Sequence, residues 1–262
     1  MPKDISSNNT YKKTSLFKRM ESKAIEANMR ITNQWRKIKS RFLCLHGFRT
    51  RADILEYELL RKWDPVVLDK LDLVFVNAAF PCRGKSDVEG IFDPPFYEWY
   101  HTNKEMTEPH EKVNECITYI EECMIKYGPF DGLLGFSQGG MMAAVLALLQ
   151  AKGLALTKIP KIKCVIIIGG GKIKDKSGAE KAYGSPITCP SLHFIGKEDF
   201  MRESGTQLLQ YFVDPVAIYH PKGHTIPRFD EKSLGAMLSF IEKIERDINR
   251  TEKFSLGHKS ML

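Results

Sequence analysis

The sequence predicts a doubly wound α/β domain built around a mostly parallel sheet. Six short apolar runs, rich in Val, Ile and Leu, alternate along the chain with segments of helical periodicity. The runs show no alternation of polar and apolar residues, which is typical of strands buried on both faces. Helices between such strands imply right-handed crossovers. With 262 residues, 43% of them hydrophobic, the chain can bury a sizeable core.

The predicted elements follow one another from residue 41 to residue 250. Strands are expected at residues 41–45, 73–77, 132–134, 164–168, 191–195 and 216–219. Helices are expected at residues 53–62, 108–127, 138–152, 205–212 and 233–250. One domain is therefore predicted over residues 41–250, between a basic polar extension at residues 1–40 and a polar tail at residues 251–262.

The formal net charge of +7 resides in the predicted extension. Residues 1–40 contain ten basic and three acidic residues, whereas the rest of the chain contains 29 of each. The predicted domain has no basic bias, which argues against binding of nucleic acid by it. No apolar run reaches the roughly 18 residues of a membrane span, so stable membrane insertion is not expected.

Cysteine usage and the C-terminus bear on the compartment. The six cysteines lie far apart without C-x-x-C spacing, so no zinc site is expected and a reducing, cytoplasmic compartment is predicted. The chain ends in Ser260-Met261-Leu262, which is similar to the peroxisomal Ser-Lys-Leu signal. The peroxisome is therefore an alternative location.

Residues 78–107 form a long stretch with little periodicity. The stretch contains three prolines and a group of aromatic residues: Phe92, Phe96, Tyr97, Trp99 and Tyr100. Long connections of this kind are often lids or binding loops, so a lid-like insertion whose aromatic residues line an apolar substrate pocket is expected. A hydrophobic cluster that seals a sheet edge is the alternative.

A G-x-S-x-G pentapeptide, Gly-Phe-Ser-Gln-Gly, occupies residues 135–139. An apolar run precedes it and a small-residue helix follows it, which is the strand–turn–helix setting of a nucleophile elbow. Such a turn lifts the Ser137 hydroxyl above the sheet and directs the positive end of a helix at a developing oxyanion. Ser137 is therefore predicted to be a nucleophile, the alternative being a glycine-rich turn with a hydrogen-bonded serine.

A serine nucleophile needs a general base, which in this architecture follows the serine and an orienting acid along the chain. Four histidines follow Ser137. His193 lies inside an apolar run and is expected in the core, and His258 lies in the polar tail. His224 is in a turn-rich segment directly after the last predicted strand. It is therefore the predicted base, with His220 as the alternative.

The orienting carboxylate is predicted at residues 196–199, Gly-Lys-Glu-Asp, which follow the strand at 191–195. The spacing favours Asp199 over Glu198.

Three glycines at residues 169–171 follow another strand, but they lack the spacing of a P-loop or of a dinucleotide fingerprint. We expect them to form a strand-to-loop exit near the site.

Two backbone N–H groups are needed to stabilise an oxyanion. The residue after the nucleophile, Gln138, is expected to supply one of them. Residues 45–49, Leu-His-Gly-Phe-Arg, follow an early strand and are expected to supply the other from Phe48. His46 precedes the serine and is expected to brace this loop.

Taken together, these motifs resemble the FSH family of serine hydrolases, an α/β-hydrolase group that includes the ovarian-cancer-associated-type hydrolases. The matching segments are residues 45–49, 81–100, 135–140, 196–199 and 220–227. The last of them, His-Pro-Lys-Gly-His-Thr-Ile-Pro, is most similar to plant members. The resemblance spans about residues 41–250 and implies an α/β-hydrolase fold with a triad of Ser137, Asp199 and His224.

The resemblance also implies the activity, since family members hydrolyse carboxylic esters or thioesters. The expected function is that of a serine carboxylesterase acting on small apolar, aromatic or acyl-chain esters through an acyl-enzyme, without a metal or another cofactor. A non-catalytic small-molecule receptor is one alternative, although a receptor has no need for a complete set of serine, acid and histidine. An acyltransferase is the other, and its triad would be identical.

Overall fold

A parallel six-stranded sheet forms the centre of the molecule, of which the computed structural model describes residues 39–102, 109–173 and 179–259. The strands are β1 (Ser40–Leu45), β2 (Leu71–Val76), β3 (Phe80–Pro81), β4 (Tyr97–Glu98), β5 (His101–Thr102), β6 (Pro109–Glu111), β7 (Gly132–Phe136), β8 (Cys164–Ile168), β9 (Ser191–Gly196) and β10 (Val216–His220). The sheet order is β10-β9-β8-β7-β1-β2, and each neighbouring pair is parallel. The six predicted strands are confirmed, with ends that differ by up to two residues.

Helices connect these strands. In the described ranges they are α1 (Ala52–Lys62), α2 (Pro65–Leu68), α3 (Val113–Tyr127), α4 (Gln138–Ala151), α5 (Arg202–Leu208) and α6 (Glu231–Lys259), with 3-10 turns at Ala179–Ala182 and Leu209–Tyr211. None of the helices described is both long and apolar enough to cross a bilayer.

Four helices differ from the sequence predictions by more than one residue. Helix α2 is not predicted, although the Asp64 carboxylate accepts a hydrogen bond from Val66 N–H at 2.9 Å and a proline opens the helix. Helix α3 begins at Val113 instead of residue 108, because residues 109–111 pair with β5. Helix α5 spans Arg202–Leu208 instead of residues 205–212, because the chain continues from it as a 3-10 turn at Leu209–Tyr211. Helix α6 continues to Lys259, so most of the predicted polar tail is helical. The predicted extension up to residue 38 and the tripeptide at residues 260–262 lie outside the described residues.

Two hydrophobic layers cover the two faces of the sheet. Leu43 and Leu45 of β1 belong to the layer that also contains residues of α3 and α4. Phe42 and Cys44, which alternate with them, belong to the layer that contains residues of α1 and α6. Successive strand residues point to opposite faces, so both faces of β1 are buried. This is the doubly wound arrangement that the uninterrupted apolar runs predict.

The connection from β2 to β7 fixes the position of the site. From β1 the chain adds β2 at one edge, and it then crosses to the other side of β1 and continues outward from β7 to β10. The strand order therefore reverses between β1 and β7. In open α/β sheets, ligands bind outside the carboxyl ends of the strands at such a point.

The segment without periodicity is attached to the loop after β1. Its described residues, 78–102, contain β3 and β4, which form an antiparallel pair. The Tyr97 N–H donates a hydrogen bond to the Thr50 carbonyl at 2.8 Å. Three of its aromatic side chains are buried in the core: Phe96, Trp99 and Tyr100. The segment therefore packs onto the domain as part of its core.

Candidate active site

Ser137 lies in the turn between β7 and α4, with φ +54° and ψ −119°. This region is unfavourable for a side-chain-bearing residue, so the turn is strained. Glycines at both ends of the pentapeptide allow it. A Cβ on Gly135 would overlap the Gly139 carbonyl, and one on Gly139 would overlap the Leu45 carbonyl at the end of β1. The turn therefore has the geometry expected of a nucleophile elbow.

The structure brings Ser137, His224 and Asp199 into contact. His224 Nε2 lies 2.8 Å from Ser137 Oγ, and His224 Nδ1 lies 2.9 Å from both carboxylate oxygens of Asp199. A carboxylate can only accept, so Nδ1 carries the proton and Nε2 accepts the Ser137 hydroxyl proton. The Asp199 side chain is 2% exposed and that of His224 is 19% exposed. The imidazole is thus held by a buried charge while remaining within reach of solvent.

The backbone around Asp199 holds its carboxylate in place. The Met201 N–H donates a hydrogen bond to Asp199 Oδ1 at 2.7 Å. Gly169, at the end of β8, has φ +56°, and a Cβ there would lie 3.2 Å from Asp199 Oδ2 and from His224 Nδ1. The glycine run after β8 therefore lies beside the carboxylate–imidazole pair. This agrees with the expectation that residues 169–171 lie near the site.

The other candidate histidines and acid lie differently. His193 is buried beside Ser191 Oγ, and burial lowers its pKa to about 3, as a core position implies. His220 is buried at the end of β10, and its Nδ1 has no hydrogen-bond partner in the part of the chain that is described. Burial lowers the pKa of His220, although the Asp199 charge opposes this. Glu198 is exposed to solvent, so Asp199 is the acid that meets His224.

The loop after β1 lies against the serine. A Cβ on Gly47 would be 3.6 Å from Ser137 Cβ. Within the described ranges, the N–H groups of Phe48 and Gln138 have no hydrogen-bond acceptor. Gln138 is the first residue of α4, where the helix dipole adds positive potential. Both groups are therefore available to an oxygen atom bound beside the serine.

His46 joins this loop to the chain segment just after β2. Its Nε2 accepts a hydrogen bond from Ala78 N–H at 3.0 Å, so Nδ1 carries the proton and donates to the Gly47 carbonyl at 2.8 Å. Trp99 Nε1 donates to the His46 carbonyl at 2.8 Å. Burial lowers the pKa of His46 to about 4, so the neutral ring is the stable form. His46 thus occupies the bracing position that the sequence predicts.

The side chain of Gln138 attaches the aromatic segment to α4. Its Oε1 accepts a hydrogen bond from Trp99 N–H at 2.9 Å, and its Nε2 donates to the Tyr100 carbonyl at 2.8 Å. Trp99 and Tyr100 are 0% and 2% exposed, and Phe96 is 5% exposed. All three side chains belong to the buried interior, and their expected role in a substrate pocket stays a prediction.

The two remaining aromatic candidates are half-buried. Phe92 packs edge-on against Tyr57 of α1, with ring centroids 6.0 Å apart. Tyr97 packs against the hydrophobic layer that contains α3 and α4. Neither has a ring contact with His224 in the described structure.

Sequence reasoning missed a buried ion pair beside the loop. Glu98 Oε1 accepts hydrogen bonds from Arg49 Nε at 2.9 Å and from Arg83 N–H at 2.7 Å, and Glu98 Oε2 lies 3.0 Å from His101 Nδ1. The Glu98 side chain is 1% exposed and that of Arg49 is 25% exposed. Arg49 directly follows Phe48, so the pair holds one end of the loop.

Sequence reasoning also missed two phenylalanines that pack on the imidazole. The ring of Phe136, which precedes the serine, lies 5.1 Å from that of His224, and the ring of Phe200 lies 4.5 Å from it. Phe200 is 75% exposed. The position of Phe200 next to the predicted Asp199 is the sequence feature that could have indicated this contact.

No group of three or more potential metal ligands occurs among the residues described.

Fold and site together define an α/β-hydrolase, and solved structures agree on the fold. Acyl-protein thioesterase 2 of Zea mays superposes with a TM-score of 0.56 at 17% identity, covering 79% of this chain and 94% of that one. SOBER1 of Arabidopsis thaliana superposes with a TM-score of 0.54 at 18% identity, covering 79% and 99%.

The chain belongs to the serine hydrolase (FSH1) family, whose family model matches residues 36–234. It is 30% identical over 206 residues to the protein named Esterase OVCA2 of Xenopus tropicalis, covering 71% of this chain and 86% of the relative. It is 29% identical to Esterase AGAP003155 of Anopheles gambiae, covering 72% of each. The family resemblance expected from the motifs is confirmed.

Proposed function

We propose that this chain is a serine carboxylesterase that cleaves small apolar esters, with Ser137, His224 and Asp199 as its triad. The observation that carries the proposal is the 2.8 Å hydrogen bond between Ser137 Oγ and His224 Nε2, backed by the Asp199 contact to Nδ1. A hydroxyl that donates to a neutral imidazole is the arrangement in which a serine can be activated as a nucleophile. The names of the relatives in the family support an esterase.

Acylation begins as His224 Nε2 takes the Ser137 hydroxyl proton and Ser137 Oγ attacks the ester carbonyl carbon. The oxyanion accepts hydrogen bonds from the N–H groups of Phe48 and Gln138, and the loss of one such donor costs about 10²- to 10³-fold in kcat. The Asp199 carboxylate stabilises the imidazolium. His224 then donates its Nε2 proton to the alcohol oxygen, the carbon–oxygen bond breaks, and the acyl group stays on Ser137.

Deacylation repeats these steps with water as the nucleophile. His224 takes a proton from the water, whose oxygen attacks the acyl carbon. The tetrahedral intermediate collapses as His224 returns the proton to Ser137 Oγ, and the carboxylic acid leaves. No step requires a metal or another cofactor.

The test is hydrolysis of p-nitrophenyl acetate together with labelling by a fluorophosphonate probe. We expect the wild type to turn over the ester and to be labelled on the peptide that contains Ser137. Ser137→Ala should lose labelling and at least about 10⁴-fold of kcat. Ser185→Ala is the matched control, because Ser185 is exposed and outside the site. Equal turnover by the wild type and Ser137→Ala would refute the proposal.

Product analysis with a competing alcohol separates hydrolysis from acyl transfer. A hydrolase releases the free acid in the presence of the alcohol, whereas an acyltransferase forms the new ester in preference. Tight binding of an ester without turnover would favour a receptor.

A further inference from the structure

Phe200 is an exposed aromatic residue on a fixed stretch of backbone. The Asp199 N–H donates to the Gly196 carbonyl at 3.3 Å, and the Arg202 N–H donates to the Asp199 carbonyl at 3.0 Å. Asp199 Oδ1 also accepts from the Met201 N–H at 2.7 Å. With the backbone held on both sides, the ring of Phe200 has only its side-chain rotamers to choose from.

The Phe200 ring is in contact with the imidazole and yet largely uncovered. Its centroid lies 4.5 Å from that of His224, at an interplanar angle of 46°, while 75% of the residue is exposed. Phe136, on the same imidazole, is already partly covered by protein, since a Cβ on Gly47 would lie 3.0 Å from its ring. Of these two phenylalanines, Phe200 therefore has the larger apolar surface that a bound ligand could contact.

The proposed mechanism places the alcohol part of the ester beside His224. In the proposed mechanism, His224 Nε2 must donate a proton to the leaving alcohol oxygen, so this oxygen comes within hydrogen-bond distance of Nε2. His224 Nε2 is 2.8 Å from Ser137 Oγ, and the Phe200 ring is 4.5 Å from the imidazole. The ring is then within about 9 Å of Ser137 Oγ, a distance that an alcohol substituent of several carbons can span.

We propose that Phe200 is a specificity-determining residue that contacts the alcohol part of the ester and selects apolar alcohols. This inference rests on the proposed function, since it assigns the two sides of the substrate from the roles of Ser137 and His224. An apolar substituent on the alcohol oxygen covers the exposed ring of Phe200, and the burial of apolar surface stabilises the complex. A methyl or ethyl group is too short to reach the ring.

The test uses two ester series with the wild type, Phe200→Ala and Phe200→Leu. One series holds the acyl group as acetyl and lengthens the alcohol from ethyl to hexyl and benzyl. The other holds the alcohol as ethyl and lengthens the acyl group from acetyl to hexanoyl. For Phe200→Ala we expect the ratio of kcat/KM for hexyl acetate over ethyl acetate to fall roughly 10-fold. The ratio for ethyl hexanoate over ethyl acetate should stay within about twofold, and Phe200→Leu should restore most of the alcohol selectivity.

Leu154→Ala is the matched control, since Leu154 is 56% exposed and follows the far end of α4. It should leave both ratios unchanged. The inference is overturned if Phe200→Ala alters the acyl ratio instead, lowers both ratios equally, or changes neither. It is also overturned if the variant loses binding to phosphatidylcholine vesicles at unchanged ratios, since Phe200 would then contact a lipid surface. Failure of the proposed function is distinct: ester hydrolysis would then be insensitive to Ser137→Ala.

Discussion

Removal of the Glu98 carboxylate tests how the loop after β1 is held. Glu98 is 1% exposed on its side chain and accepts hydrogen bonds from Arg49 and from the Arg83 N–H. Loss of one partner of a buried ion pair costs about 3–5 kcal/mol of folding free energy. Because the Arg49 side chain is 25% exposed and also donates to the Lys85 carbonyl, we expect the lower end, about 3 kcal/mol for Glu98→Ala.

Glu98→Gln separates the charge from the shape. The amide keeps one oxygen as an acceptor for Arg49 but loses the negative charge, so we expect a cost of about 1–2 kcal/mol. The surface pair of Glu115 with Lys112 is the control, since Glu115 is 61% exposed, and Glu115→Gln should cost less than about 1 kcal/mol.

Urea unfolding followed by circular dichroism measures these three free energies, and calorimetry gives the midpoints. For a domain of this size, about 3 kcal/mol corresponds to a fall of roughly 6–12 °C in Tm. Phe48 precedes Arg49, so a loosened loop should also lower kcat for ester hydrolysis. A Glu98→Ala variant as stable as Glu115→Gln would refute the reasoning, because the ion pair would then contribute no more than a solvated one.

Three further outcomes follow from the site and from two buried histidines. Asp199→Asn should lower kcat about 10⁴-fold, because the amide no longer fixes the imidazole tautomer, as steady-state kinetics would show. Gly139→Ala should cost about 3 kcal/mol or more by urea unfolding, whereas Gly235→Ala, in open space on α6, should stabilise slightly. His46 and His193 have pKa values lowered to about 4 and about 3, so the unfolded chain binds protons first as the pH falls below about 6.5. Stability should fall by roughly 4 kcal/mol between pH 7 and pH 5, and His193→Gln should remove about half of this loss.

The sheet could be predicted from the sequence because its strands are buried on both faces. The run of β8 is short, rich in Val and Ile, and followed by glycines, and these features together favour a buried strand over a buried helix. Helix ends were less predictable. The start of α3 depends on the pairing of residues 109–111 with β5, and no local pattern encodes that pairing.

The candidate site divides in the same way. Ser137, Asp199 and His224 were predictable because each follows a strand, and strand ends meet at one edge of a parallel sheet. The ion pair of Arg49 and Glu98 joins residues 49 positions apart and left no periodic signal. The burial of Trp99 could not be predicted from the sequence alone, because aromatic richness looks the same in a core and in a binding site.

The contact between Gly139 and the end of β1 sets the spacing between the two sides of the site. No side chain stands between the first turn of α4 and the Leu45 carbonyl, so main chain rests directly on main chain. The helix that presents Ser137 and the loop that presents Phe48 leave from the two sides of this contact. The distance between Ser137 and the Phe48 loop therefore depends on the contact of two backbones, which a change of core side chains does not alter. Differences in substrate size have to be accommodated by residues farther from Ser137.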